Sequence, residues 1–295
     1  MTVIGIFGPT ASGKSSVASE VARRIPSELV SADALQVYQG LPILTNQPSE
    51  PVRMVGIWPL EREASVGEYA PLAHAAVDDI LAQGRTPIVV GGTGLYLRAA
   101  LAELSLPPAP AAGARARWER FYDEQGAEAA HARLEELDPA AAAGVHANDR
   151  RRVVRALELA AAGSSLAPSA DRLWAADERR PTLLVGIDGG SDDAIRRRVE
   201  EQVARGVVDE ARRAWARPLS GTARRVLGLE EFATLAAAAA AEAVIAASRR
   251  LAAYQRKWLR RLPSAVTLAG DRAPEELADE ILALASTGEH LPRRG

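Results

Sequence analysis

The chain of 295 residues contains no cysteine, which excludes disulfide bonds, thiolate catalysis and metal sites that depend on cysteine ligands. It has few histidines, and they are too far apart in sequence to form a local metal motif: His74, His131, His146 and His290. It also lacks any apolar run of the ~18 residues that a membrane-spanning helix needs, and no basic segment precedes its first apolar stretch. These absences predict a soluble, cytoplasmic protein.

An excess of one charge is missing as well. The 36 Lys+Arg residues nearly balance 38 Asp+Glu, and the formal net charge of -2 argues against a uniformly polycationic nucleic-acid binder. Only two of the basic residues, Lys14 and Lys257, are lysines. Arginine clusters are therefore expected by chance on solvated helix faces, whereas a lysine in such a chain is a candidate for a chemical role.

Predicted strands and helices alternate along most of the chain. Strands are predicted by short apolar runs at 2–7, 28–31, 87–90, 182–187 and 265–268. Helices are predicted over 14–24, up to 82, from 95, over 192–216 and over 224–263. This alternation predicts an α/β fold, a phosphate-loop doubly wound parallel sheet with its site at the carboxyl ends of the strands.

One segment departs from the alternation. It opens with prolines between 107 and 110, continues with amphipathic helical spacing and contains no convincing strand. We therefore predict an inserted, mainly helical lobe over 107–180, within a catalytic core over 1–106 and 181–295 that ends in C-terminal helices. The tail at 288–295 is expected to fray.

The strongest motif is GPTASGKS, which directly follows the first predicted strand and opens a helix. Its glycines let backbone amides surround a phosphate group at a helix N-terminus, while Lys14 supplies a cation and the Ser15 hydroxyl can bind Mg²⁺. An ordinary strand-to-helix turn is the alternative. The motif predicts a di- or triphosphate site formed by Gly8, Pro9, Thr10, Ala11, Ser12, Gly13, Lys14 and Ser15.

Two more segments follow predicted strands. In SADALQVY, Asp33 can accept a proton or hold magnesium through water, or it can be a helix N-cap, and its spacing favours neither role. In GGTG, the backbone can approach a ligand, or Thr93 can cap a helix after a tight turn. The residue types alone leave these alternatives open.

In order and spacing, GPTASGKS, SADALQVYQGLPI, PIVVGGTGLYLRAAL and NDRRRVVRALEL resemble the tRNA dimethylallyltransferases, which prenylate the adenine next to the anticodon. The resemblance continues through VVDEAR at 207–212 to Trp258, so it spans nearly the whole chain. It implies transfer of a dimethylallyl group from dimethylallyl diphosphate to N6 of that adenine in tRNA, with Mg²⁺ as cofactor. We further expect a monomer that does not bind a membrane.

The resemblance also implies roles for individual residues. The phosphate loop would hold the diphosphate of the donor rather than ATP, with Thr10 near the reacting carbon and Asp33 as the general base. Lys14 and a nearby arginine such as Arg212 would stabilise the departing diphosphate. The inserted lobe would bind tRNA. With the basic clusters, the resemblance indicates tRNA contacts at Asp33, Ala34, Leu35, Gln36, Thr93, Arg115, Arg151, Arg152, Arg155, Arg249 and Arg256.

The chain departs from the family pattern mainly on the side expected to face RNA, at Gln47, 52–56, 228–230 and 252–255. Three other functions stay open. An ATP-dependent small-molecule kinase of the phosphate-loop class would share the fold and the magnesium, but it would transfer the γ-phosphate of ATP. An adenylate isopentenyltransferase would use free AMP, and a non-enzymatic RNA-binding module would transfer nothing.

Overall fold

The computed structural model describes residues 2–104, 113–167 and 172–287. The predictions for the prolines at 107–110 and for the tail at 288–295 lie outside these residues, as does His290. No helix within the described ranges is both long enough and apolar enough to cross a membrane.

Five parallel strands form one sheet in the order β2-β3-β1-β4-β5. In chain order they are β1 Val3–Phe7, β2 Ser27–Ser31, β3 Thr86–Gly91, β4 Thr182–Asp188 and β5 Val266–Ala269. The predicted α/β parallel sheet is therefore confirmed. Because β1 lies between β3 and β4, the loops after these three strands meet at one edge, where open α/β sheets bind their ligands.

Twelve helices are present in the described residues. They are α1 Lys14–Arg24, α2 Val66–Ala82, α3 Gly94–Leu101, α4 Ala114–Gln125, α5 Ala127–Leu137, α6 Pro139–Ala142, α7 Arg150–Ala161, α8 Asp192–Ala204, α9 Val207–Trp215, α10 Leu229–Thr234, α11 Ala237–Leu259 and α12 Pro274–Thr287.

Both long helices predicted in the C-terminal part are interrupted. The one predicted over 192–216 divides into α8 and α9 at Gly206, whose φ of 91° is left-handed. The one predicted over 224–263 divides at Gly228, with φ of 88°, and again before Ala237. Apolar spacing continues across each break, so periodicity alone does not reveal the change in chain direction.

The chain divides into two compact units, one formed by Met1–Leu104 with Leu173–Gly295 and the other by Ser105–Arg172. The first unit has a core between the sheet and helices α1 and α12, including Ile6, Val21 and Ile281. The second has its own core of helix residues, including Trp118 and Leu157. Residues 173–180, which the sequence interpretation assigned to the lobe, group with the sheet unit.

Candidate active site

Two cavities open at the carboxyl edge of the sheet. The first has a volume of about 640 Å³ and the second about 720 Å³. The two cavities share four lining residues: Lys14, Asp33, Thr45 and Arg198. Three of these four side chains carry charge, so the two cavities share a charged boundary.

The predicted phosphate loop lies at this boundary. Gly13, at φ 81°, begins α1 without a side-chain cap, so the amides of the first helical turn face solvent or a ligand. The Lys14 ammonium donates a hydrogen bond to the carbonyl of Pro9 at 3.1 Å. Burial, assisted by the positive charge of Arg198, lowers the pKa of Lys14 to about 8.

Two serines of the same loop differ in exposure. Ser15 is exposed and lines the second cavity, where its hydroxyl can reach a bound ligand. The Ser12 hydroxyl is buried, and within the described residues it has no hydrogen-bond partner. A buried hydroxyl without a partner costs free energy, and Ser12, unlike Ser15, lines neither cavity.

The cation that accompanies Lys14 is Arg198, which the sequence interpretation missed. Arg198 lies on α8 and its Nη1 donates to the Thr10 hydroxyl at 3.0 Å. Burial lowers the pKa of its guanidinium. The expectation that Arg212 lies beside the diphosphate is corrected, because Arg212 is exposed on α9 and lines neither cavity.

A sequence signal for Arg198 does exist. Ile195, Val199 and Gln202 line the first cavity with it, at the i, i+3, i+4 and i+7 spacing of one helix face. A single arginine within an otherwise cavity-facing stripe of α8 is therefore placed by helical periodicity. The run of three arginines at 196–198 obscured this, because two of them lie outside the stripe.

Asp33 lies in a turn after β2, and its carboxylate lines both cavities. Its Oδ1 accepts a hydrogen bond from the backbone N–H of Leu35 at 2.9 Å. The residues that follow form turns rather than a helix, so the N-cap interpretation of Asp33 is wrong. Among the described residues no donor forms a hydrogen bond with Oδ2, so the carboxylate remains able to accept a proton.

The stretch after Asp33 is held by its neighbours. The Thr93 hydroxyl accepts from the N–H of Ala34 at 3.1 Å, so it joins the loops after β2 and β3 and does not cap α3, although Thr93 is the N-cap residue. Leu35 lines the first cavity, whereas Gln36 lines the second. Gln36 donates to the carbonyl of Asn46 at 3.0 Å, which fixes its amide.

Gln255 of α11 is a second residue that the sequence interpretation did not select. Its side chain is 5% exposed and lines the first cavity. Its Oε1 accepts from the N–H of Thr10 at 2.7 Å, and its Nε2 donates to the carbonyl of Gly92 at 2.8 Å. One amide thus joins the phosphate loop to the loop after β3.

The first cavity also has an aliphatic wall. The wall is formed by seven aliphatic side chains: Leu35, Leu44, Ile195, Val199, Leu227, Val244 and Leu251. The buried carboxylate of Glu210 accepts from the N–H groups of Ile43 and Leu44, the latter at 2.7 Å, and thereby holds Leu44 in this wall. The cavity therefore combines cationic groups with hydrocarbon surface.

In the helical unit, the basic residues expected to bind tRNA fall into two classes. Arg115 and Arg155 both form ion pairs with Glu158, at 3.9 and 3.1 Å. Arg151 and Arg152 are exposed on α7, and no described residue pairs with either guanidinium. The second pair is therefore the one available to an outside phosphate.

The same division holds on α11. Arg249 pairs with Asp192 at 3.1 Å, and Arg256 donates to the carbonyl of Gly190 at 2.6 Å. These two arginines already have internal partners, and their predicted tRNA contacts stay predictions. Arg250 and Lys257 are exposed, and neither has an ion-pair partner among residues that the structure describes.

Arg250 and Lys257 belong to one surface stripe, which also contains Tyr254 and Arg261. The spacing of Arg250, Tyr254 and Lys257, i, i+4 and i+7, places these three on one side of α11, and Arg261 follows in the turn after the helix ends at Leu259. Tyr254 is 57% exposed, and the Arg261 guanidinium lies 3.9 Å from the ring centroid of Trp174. We call this set the α11 stripe; it combines cations with exposed aromatic surface.

Comparisons with known proteins agree on one family. The family model described as IPP transferase matches residues 36–262, and the one described as Isopentenyl transferase matches residues 1–54. The tRNA dimethylallyltransferase of Salinispora arenicola is 40% identical over 278 residues, which are 89% of this chain and 80% of the relative. That of Thermobifida fusca is 38% identical over 306 residues, or 96% and 94% of the two chains.

A solved structure agrees over the same length. The full-length tRNA isopentenylpyrophosphate transferase of Bacillus halodurans is 27% identical with a TM-score of 0.68, and the match covers 98% of this chain and 97% of that one.

Proposed function

The chain belongs to the tRNA dimethylallyltransferase family, and from this premise we propose that it transfers a dimethylallyl group from dimethylallyl diphosphate to N6 of the adenine 3′ to the anticodon in tRNA. The observation that carries the proposal is the meeting of two cavities at Lys14, Asp33 and Arg198. A prenyl donor in one cavity and the adenine in the other would react at that boundary, where both can contact the two cations and the Asp33 carboxylate.

The first cavity is the proposed donor site. Its cations, Lys14 and Arg198, suit a diphosphate, and its aliphatic side chains suit a five-carbon allylic chain. The Asp33 carboxylate favours the charged form of both cations but forms an ion pair with neither, so a bound polyanion would supply a closer partner. An ATP-dependent kinase would have no evident use for the aliphatic wall.

The reaction proposed at the boundary is a substitution. The N6 lone pair attacks the allylic C1, the bond between C1 and the diphosphate oxygen breaks, and diphosphate leaves with the bonding electrons. The N6 proton passes to the Asp33 carboxylate, which acts as general base. Lys14, Arg198 and the Thr10 hydroxyl stabilise the charge that grows on the leaving oxygens.

Mg²⁺ is part of the proposal because the donor atoms fit it. The exposed Ser15 hydroxyl lines the second cavity and is the proposed protein ligand, while Asp33 keeps the role of base; the described residues form no cluster of three or more acidic, histidine or cysteine side chains. Mg²⁺ commonly binds through one or two protein oxygens together with substrate phosphates. Bound in this way, the ion would neutralise charge on the departing diphosphate.

The acceptor is proposed to be a loop of tRNA. The second cavity is lined by Gln36, Asn46 and Gln47; the Nε2 groups of both glutamines donate to backbone carbonyls, so the Asn46 amide and the Gln47 Oε1 are the groups proposed to meet the edge of a purine. A base must leave its stack to enter such a cavity, and this is least costly in a single-stranded loop. Outside the cavity, the α11 stripe, and separately Arg151 and Arg152, supply unpaired cations for RNA phosphates.

A tRNA substrate supports action in the cytoplasm, and the monomeric state stays a prediction.

The test is direct transfer of label. Purified protein with Mg²⁺ and labelled dimethylallyl diphosphate is incubated with an anticodon stem-loop, with the same stem-loop carrying guanine at the target position, and with AMP. We expect label on the first RNA alone. Label on AMP alone would support an adenylate isopentenyltransferase, and transfer of the γ-phosphate of ATP to a small molecule would support a kinase.

A further inference from the structure

One turn of α11 contacts the loops that follow three different strands. Gln255 binds Thr10 after β1 and Gly92 after β3, while Arg256 donates to the carbonyl of Gly190 after β4. The contacts are close: a Cβ on Gly92 would lie 2.5 Å from the Gln255 amide nitrogen. This turn of α11 therefore fixes the spacing between loops that the strands alone would leave adjustable.

The orientation of the Gln255 amide follows from its two partners. A backbone N–H only donates and a carbonyl only accepts, so Oε1 must face Thr10 and Nε2 must face Gly92. No other side chain of this length provides one acceptor and one donor in the same plane. Glutamate would keep the acceptor for Thr10 but turn an oxygen toward the Gly92 carbonyl.

Each end of this bridge continues to a group that acts in the proposed reaction. On one side, the Thr10 hydroxyl receives the hydrogen bond from Arg198, the cation proposed for the leaving group. On the other side, Gly92 precedes Thr93, whose hydroxyl holds the amide of Ala34 next to Asp33. The Thr10 N–H, being used by Gln255, is not a donor to diphosphate.

We propose that Gln255 is a positioning residue that holds the donor-binding loop and the loop that supports Asp33 at the separation the transfer requires. This inference rests on the proposed function, because it assigns Gln255 to that reaction. Gln255 acts through its two loops rather than on the reacting atoms. A shift of about 1 Å between bound reactants lowers the rate roughly 10²-fold, whereas each substrate still binds its own loop.

The experiment compares Gln255→Leu, which loses both hydrogen bonds, with Gln255→Glu, which keeps only the one to Thr10. Single-turnover transfer on the preformed ternary complex should fall about 10²-fold in Gln255→Leu and at least tenfold in Gln255→Glu. Dissociation constants for dimethylallyl diphosphate and for the stem-loop should stay within about threefold. Without substrates, hydrogen exchange at the amides of Thr10 and Ala34 should accelerate in Gln255→Leu.

The matched control is Ile245→Ala, because Ile245 is buried in the same helix and lines neither cavity. It should lower the melting temperature while the single-turnover rate stays near that of the wild type. Rates within threefold of the wild type in both Gln255 variants would overturn the proposal, and so would a loss explained entirely by donor affinity. A wild type that transfers nothing would contradict the proposed function, and unchanged exchange at Thr10 and Ala34 would separately contradict the bridge.

Discussion

The cations that line the cavities differ from the arginines on the helix surfaces in whether they form ion pairs. Lys14 and Arg198 are half-buried beside the cavities, and no described carboxylate lies within ion-pair distance of either. Arg115 and Arg249 lie on helix surfaces, and each forms an ion pair, at 3.2 and 3.1 Å. A cation withdrawn from water without an ion pair costs free energy, so Lys14 and Arg198, which are stabilised by the more distant charge of Asp33, identify a site for an anion, whereas a paired surface arginine identifies little.

The largest expected effect concerns the one carboxylate at the shared boundary. Asp33→Asn should slow single-turnover transfer by roughly 10²–10⁴-fold, because an amide cannot accept the N6 proton. Asparagine can still accept from Leu35 N–H, so the turn and the melting temperature should be unchanged. A loss of less than tenfold with unaltered substrate affinities would remove Asp33 from the role of base.

A comparison of two arginines tests the corrected leaving-group assignment. Arg198→Ala should lower the rate of transfer by about 10²–10³, the usual cost of losing a group that stabilises developing negative charge. Arg212→Ala, at an exposed position on α9, should leave it within about twofold. The measurement is single-turnover transfer at saturating donor. Equal losses, or a larger loss for Arg212, would contradict the role given to Arg198.

The half-buried Lys14 should make donor binding depend on pH. With a pKa of about 8, Lys14 loses its proton in the free enzyme as the pH rises above that value. Only the protonated form of Lys14 attracts diphosphate, so the affinity for the donor should fall as the pH rises above about 8, by up to about tenfold per pH unit. Titration calorimetry between neutral and alkaline pH measures the change. Lys14→Arg should bind with a flat profile, and an equally steep profile in that variant would exclude Lys14 as the titrating group.

The smallest expected effects are on the helix surfaces. Lys257→Ala and Arg152→Ala should each weaken tRNA binding and lower the slope of log K against log salt by up to ~1. Their neighbours Arg256→Ala and Arg155→Ala should change the slope less, because those side chains already have internal partners. Filter binding over a range of salt concentrations distinguishes the pairs. Equal slopes within each pair would show that internal pairing does not predict RNA contact.

Much of the fold follows from local sequence. Each of the five strands lies within a residue or two of its predicted range, because short apolar runs between turns can only be buried strands in a chain of this pattern. The start of α1 at Lys14 follows from the phosphate-loop motif, whose glycines determine the turn. The breaks at Gly206 and Gly228 were missed because the apolar spacing continues through them.

For the site, the sequence by itself determined which loops bear chemistry: the phosphate loop, the turn with Asp33 and the GGTG loop all follow strands, and parallel strands bring their carboxyl ends to one edge. The tertiary structure alone decided which distant side chains complete them. Arg198 and Gln255 meet Thr10 across 188 and 245 residues; helical periodicity places Arg198 on one face of α8, but no spacing in the sequence shows which loop that face contacts. The tertiary structure also decided which arginines form ion pairs. An ion pair depends on how two elements pack, and an arginine cluster in the sequence does not show which acidic residue lies next to it.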